Sequence, residues 1–262
     1  MNIVLKRAQD GPVLTLTLND YATRNSISEA MMHDMRGALE AAASDHSIHV
    51  IVFAAEGAVY SAGHNLKELT AHRADKDSGA AYFAKTFADC SHLMTMIANH
   101  RCVTIAQVGG LASAAGCQLV ASCDFAIANE HAKFCTPGVN IGLFCSTPMV
   151  ALSRAVSPRH AREMLLTGNI YDAAHALRIG LINEIVPTEK LASHVAEMAA
   201  RISGKSQQAI EFGKPAIAAQ SQLGLTEAYQ DCSALMVKNF LAPSAREGVG
   251  AVLEKRKPVW PQ

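Results

Sequence analysis

The sequence predicts an α/β protein, with a sheet covered by helices over its first two thirds and a helical last third. Three observations carry this reading. Strand-like alternation at Val13–Leu18 and an apolar run at His49–Ala54 bracket a helical segment, SEAMMHDMRGALEAAA. The uncharged run Cys102–Cys123 divides into a β-rich half and an alanine-rich half, the pattern of a buried strand followed by a helix. Beyond Pro158, apolar residues recur at helical spacing almost to the end of the chain.

The elements follow in order. The chain starts directly in alternating strand pattern, and Ser28 is placed to cap the first helix. The polar stretch Ala71–Ala80 is expected to be one long loop before a second helix, Tyr82–Ala98. Strand Val103–Val108, a helix after Gly110 and strand Phe125–Ala128 come next, followed by a second uncharged run, Phe134–Ser153. Pro158 suits a first helical turn, Asp172 an N-cap, Gly180 a C-cap and Leu181–Val186 a short strand. The helices after that have apolar stripes that need a partner surface, because a tail of this size has little core of its own.

Composition excludes several classes. With 23 basic and 23 acidic residues, no global field draws the chain to nucleic acid or to an anionic membrane. The seven cysteines are odd in number, sit mostly in apolar runs and include no CxxC pair, which points to free thiols in a reducing compartment and to no disulfide frame or metal site. The start has neither the apolar core of a signal peptide nor an arginine-rich leader, so a cytoplasmic protein is expected. Cys102–Cys123 is long enough to cross a bilayer, but its paired glycines, glutamines and serines favour the buried strand and helix, and no membrane association is expected.

Gly109–Asp124, GGLASAAGCQLVASCD, is the stretch richest in chemical meaning. Gly109-Gly110 makes a turn, and Ala112–Ala115 is expected to form the first turn of a helix whose leading N–H groups have no intrahelical acceptor and can hold an oxyanion. The same small residues also suit plain close packing of an alanine-rich helix on a sheet, and both readings stand on this stretch alone.

VYSAGHNLKEL (Val59–Leu69), GCQLVASCD, TPGVNIGL, ALRIGLINEIVP and EKRKPVW occur in that order over about 200 residues, and together they resemble the enoyl-CoA hydratase/isomerase (crotonase) family across essentially the whole chain. The resemblance implies strand-strand-helix turns wound as a spiral acyl-CoA-binding core, residues 1–195, and a C-terminal helical oligomerisation region, residues 196–262. It further implies homotrimers or homohexamers built as dimers of trimers, and a place in fatty-acid metabolism. The implied substrate is an acyl- or enoyl-CoA thioester, with coenzyme A arriving as part of the substrate and no separate cofactor.

Carried over by position, the two backbone N–H groups that hold the thioester oxygen fall on His64 and Ala115. The His64 imidazole is open to two readings, an acid or base near neutral pH or a ring facing the nucleotide or solvent. The two glutamates of the family's hydratases correspond to Gln118 and Gly138, neither of which carries a proton at pH 7. The single carboxylate of some isomerases corresponds to Ser146, and the one acid between Asp124 and Arg154, Glu130, lies in a polar turn. Cys117 and Cys145 remain as thiols that would act only if their pKa fell. Arg24, Ala62, Asn65, Leu66 and Lys67 take positions that meet the CoA moiety, with Lys255 and Lys257 as further candidates. The EKRK cluster also reads as a solvated helix end complementing its dipole. Two function classes follow: an enoyl-CoA hydratase-like enzyme (a lyase, an isomerase or a thioester hydrolase), and a non-catalytic acyl-CoA-binding or regulatory protein on the same scaffold.

Overall fold

Alternation decides the first hairpin. In β2 (Val13–Leu18) the leucines at 14, 16 and 18 are buried and the intervening residues half-buried, and β2 pairs antiparallel with β1 (Leu5–Asp10) across a turn where Gly11 takes φ +52°. A computed structural model describes residues 3–261 of the chain. As expected, Ser28 caps α1 (Glu29–Ser44), its hydroxyl accepting from the Met31 N–H at 3.2 Å, and Met31, Met35, Ala38, Leu39 and Ala42 form the stripe that faces the core.

β3 (Val50–Ala55) lies parallel to β2 and is buried over nearly its whole length, as a central strand covered on both faces must be. The expected long loop at 71–80 shrinks to a turn over residues 75–79, because helical structure takes its two ends. Asn65 caps α2 (Leu66–Ala71), a 3₁₀ turn follows over His72–Ala74, and Asp77 accepts from the Gly79 and Ala81 N–H groups to start α3 (Ala80–Ala98). The side-chain oxygens of Asn65 and Asp77 thus satisfy the leading backbone donors of both helices.

After β4 (Val103–Val108) the chain departs from expectation again. Leu111–Ser113 is a short strand, β5, and α4 begins only at Ala115, running to Ser122. The cause is distant pairing: β5 lies beside β7 (Lys133–Cys135) and bridges Ser61, which holds Ala112 and Ser113 extended. β6 (Phe125–Asn129) pairs parallel with β4, and Asp124, just before it, accepts from the Thr104 N–H and hydroxyl to fix the turn out of α4.

The second uncharged run becomes the end of β7, a 3₁₀ turn over Pro137–Ile141 and α5 (Ser146–Ala155). α6 (Pro158–Thr167), β8 (Tyr171–Asp172), α7 (Ala173–Arg178) and β9 (Glu184–Val186) complete the sheets. The larger sheet has the order β1-β2-β3-β4-β6-β9 and the smaller β5-β7-β8; among the described residues the strands pair antiparallel at β1-β2 and β7-β8 and parallel elsewhere.

The chain divides into two compact units, Met1–Ala199 and Ala200–Gln262. Both sheets belong to the first. Helix α8 (Leu191–Ser203) contains the division expected at 195/196, and α9 (Gln207–Gln220), α10 (Leu225–Leu241) and α11 (Pro243–Leu253) make up the second unit. Among the described residues no helix is long and apolar enough to cross a membrane.

Candidate functional site

Backbone drawn against backbone builds this site. The Ser61 N–H donates to Leu111 O at 3.1 Å and the Ser113 N–H to Ser61 O at 2.9 Å, which lays the loop after Tyr60 along β5. On its other side the Ala62 N–H donates to Arg24 O at 3.0 Å and the Ile27 N–H to Gly63 O at 2.8 Å. Residues 24–27, 61–64 and 111–115 therefore meet, although they are far apart in sequence.

Glycine is required where they meet. Gly63 has φ +89°, and a Cβ there would lie 3.0 Å from both the Ala114 Cβ and Ser113 O and 3.3 Å from the Ala115 nitrogen. At Gly116 a Cβ would stand 2.6 Å from Ser61 O and 2.7 Å from Ser61 Cβ, so the first turn of α4 packs against Ser61 with no Cβ of its own in the contact. Ala114 caps α4 at φ +49°, ψ −113°, a conformation that costs an L-residue about 1–3 kcal/mol and is held by its N–H donating to Cys135 O at 3.0 Å and its C=O accepting from the Gln118 N–H at 2.9 Å. The N–H groups of Ala115, Gly116 and Cys117 have no acceptor among the described residues. They form a donor cluster at a helix N-terminus, and Gly63 places the His64 backbone beside it.

The side chains around this cluster are poorly satisfied. His64 packs its ring edge-on to Phe87 of α3, centroids 5.4 Å apart, and both ring nitrogens are cut off from solvent without a hydrogen-bond partner. The residue as a whole is half-buried. Burial pushes the His64 pKa below its ordinary value, tempered by the nearby Ile27 backbone, so the ring is neutral at pH 7. Gln118, one turn into α4 and 4% exposed, leaves its Oε1 unpartnered, as does the fully buried Thr136 hydroxyl. Orphaned buried polar atoms of this kind mark a place that awaits water or a ligand.

Gly138 is different. A Cβ there would meet the Cys145 Sγ at 3.0 Å, the Cys145 nitrogen at 3.1 Å and Leu143 O at 3.1 Å. A side chain at 138 would push Cys145 and Leu143 aside by a few tenths of an ångström, so the position is crowded for a carboxylate as well as lacking the carboxylate. Burial raises the pKa of Cys117 far above the ordinary thiol range, with Cys135 and Cys145 adding to it, and raises that of Cys145 as well. The thiolate readings of Cys117 and Cys145 are therefore closed. Ser146 is exposed at the start of α5 and its hydroxyl reaches only Phe144 O, while Glu130 lies on the surface.

Arg24 is exposed at φ +59° beside Ala62, and Leu66 and Lys67 are exposed on α2. Asn65 spends its side-chain oxygen on the Lys67 and Glu68 N–H groups, so capping α2 is the role the structure gives it. Lys255 and Lys257 are exposed and belong to the second unit, flanking Arg256, which is paired with Glu247 and Glu254.

The chain as a whole has counterparts among known proteins. Residues 8–262 match the family described as enoyl-CoA hydratase/isomerase, and the chain belongs to that family. It is 44% identical to the mouse mitochondrial enoyl-CoA hydratase domain-containing protein 3 over 254 residues, 97% of this chain and 83% of that protein. Among solved structures, the human enoyl-CoA hydratase domain-containing protein 3 shares 41% identity at TM-score 0.93, covering 98% of this chain and all of that one. An enoyl-CoA hydratase of Mycobacterium smegmatis shares 42% at TM-score 0.93, covering 99% of both. The fold is thus the crotonase fold with a helical C-terminal region, as the sequence motifs implied. The cytoplasmic expectation is overturned, because the mouse, rat and human relatives are named as mitochondrial proteins.

Proposed function

We propose that the protein binds an acyl-CoA thioester by its carbonyl oxygen, between the backbone N–H groups of His64 and Ala115, and that it is an enoyl-CoA hydratase-like enzyme poorly equipped for hydration itself. The observation that carries this reading is the glycine-enforced approach of the 61–64 loop to the N-terminus of α4. Donors fixed in this way stabilise negative charge as it develops on the thioester oxygen, and losing one costs about 3 kcal/mol in barrier. Arg24 and Lys67 supply charge for the CoA phosphates, and Ala62 and Leu66 line its path. Lys255 and Lys257 are further candidates of the same kind. Coenzyme A is part of the substrate, and no other cofactor enters. Exposed Tyr229, Met236, Val237, Phe240 and Leu241 on α10 support assembly into homotrimers or hexamers. A role in fatty-acid metabolism follows from the same chemistry.

Hydration needs one group to activate water for attack at Cβ and one to protonate Cα, each worth about 10²- to 10⁴-fold. Gln118 orients but does not ionise, and Cys145 occupies the neighbourhood of Gly138. That occupation also favours a second reading, an acyl-CoA-binding protein without turnover. The test is crotonyl-CoA hydration and binding by the purified protein beside Gln118→Glu. The reading expects thioester binding, slow hydration and a gain of about 10²-fold or more with Gln118→Glu. Efficient hydration by the natural protein would show that Gln118 has been misread, and absence of any thioester binding would sink the site itself.

A further inference from the structure

We propose that His160, Glu163 and His175 form a binding site for one divalent cation of the Zn²⁺ type, outside the thioester site. His160 and Glu163 stand one turn apart on α6, and His175 approaches from α7. One ligand atom from each lies within 4.8 Å of the other two. This imidazole and carboxylate donor set suits Zn²⁺, and three protein ligands leave a fourth position for water.

One distance favours an ion over simple ion pairing. His160 Nδ1 and Glu163 Oε2 are 3.4 Å apart, long for a charged hydrogen bond, which closes to about 2.7–2.9 Å. Two ligands each about 2.0–2.1 Å from a tetrahedral ion stand about 3.4 Å from one another. The His160 and His175 rings meet nearly at right angles, 83°, with centroids 6.3 Å apart. The His175 Nε2 is buried and has no hydrogen-bond partner, so the cluster contains a polar atom still to be satisfied.

Arg178 sets the terms of binding. Its guanidinium, which only donates, stands 2.7 Å from His175 Nδ1, and that contact leaves the proton on Nε2. A cation at Nε2 moves the proton to Nδ1 and turns Arg178 from a partner into a competitor that must swing away, as its exposed position allows. The ion then ties α6 to α7 on either side of β8. Gly168 O, at the end of α6, accepts from Asn140 at 3.1 Å, so the tie reaches the 3₁₀ turn that carries Gly138.

The test is titration of the chelator-stripped full chain with Zn²⁺ against a chromophoric chelator, with Co²⁺ absorption as the probe of tetrahedral geometry. One equivalent per chain is expected, with a tetrahedral Co²⁺ spectrum. His175→Ala and Glu163→Gln should each weaken binding by about tenfold or more, and His160→Gln, at a more exposed position, serves if His175→Ala does not fold. Arg178→Gln should tighten binding, and His72→Ala, at a histidine outside the cluster, should leave it unchanged. No saturable binding, or binding indifferent to all three ligand substitutions, overturns the proposal.

Discussion

Replacing Gly63 by alanine tests the geometry on which the thioester site rests. The added Cβ meets two penalties at once. At φ +89° an L-residue is strained by about 1–2 kcal/mol, and contacts of 3.0 Å with Ala114 Cβ and Ser113 O add an overpacking cost of about 1–3 kcal/mol. The smaller entropy of the unfolded chain returns about 0.4–1 kcal/mol, which leaves a net loss of about 1–5 kcal/mol. In a chain of this length that lowers the melting midpoint by about 2–20 °C. Gly180→Ala is the control: Gly180 has φ +81° but nothing within 4 Å of its Cβ direction, so it incurs the backbone strain alone. Melting curves and acyl-CoA binding are measured on both. Gly63→Ala should lose more stability than Gly180→Ala and should also lose acyl-CoA binding, because its Cβ lies 3.3 Å from the Ala115 nitrogen. Equal stability losses with thioester binding intact in both variants would refute the close approach of the two loops.

Two further outcomes are expected. Glu247 accepts from Arg256 at 2.6 and 2.9 Å and from the Val259 N–H at 2.7 Å, which holds its carboxyl down at about 2. The strap it anchors is secure above the ordinary value of 4.5 and loosens as pH falls towards about 2. Trp260, the one tryptophan, donates to Gly204 O at 3.0 Å and reports the change. Its emission should shift to the red in Glu247→Gln at neutral pH, and an unchanged spectrum would contradict the anchoring. His64→Leu removes two orphaned ring nitrogens and should add about 1–3 kcal/mol to stability in urea at pH 7. Because the His64 pKa lies below its ordinary 6.5 in the folded state, the unfolded chain takes up the proton first, and stability falls as pH drops below that value. The variant should therefore lose less than the natural protein between pH 7 and 5.5, and parallel losses would show that His64 does not titrate in this way.

What the sequence disclosed and what it hid follow from how local each feature is. The alternation in β2, the apolar runs of β3 and β4 and the Ser28 cap are written in neighbouring residues. The delayed start of α4 is not, because β5 is held extended by Ser61 and by β7, some fifty residues before it and twenty after. The His160, Glu163 and His175 cluster shows in sequence only as a histidine and a glutamate at helical spacing, and the third member arrives through the β7-β8 pairing. The lack of an ionisable group at Gly138 was legible in the sequence, but the crowding of that position by Cys145 and Leu143 was not.

The proposed division of the site into backbone donors and side-chain acids has a physical basis. The donors proposed here are backbone N–H groups whose placement depends on Gly63, Gly116 and the strained Ala114, so the side chain at 64 does not decide whether its donor is present. Proton transfer belongs to side chains, which one substitution removes and one neighbouring thiol can replace. On the proposed reading, a site whose donors are backbone groups tolerates changes in its acids, and binding and hydration are for that reason expected to separate in this protein.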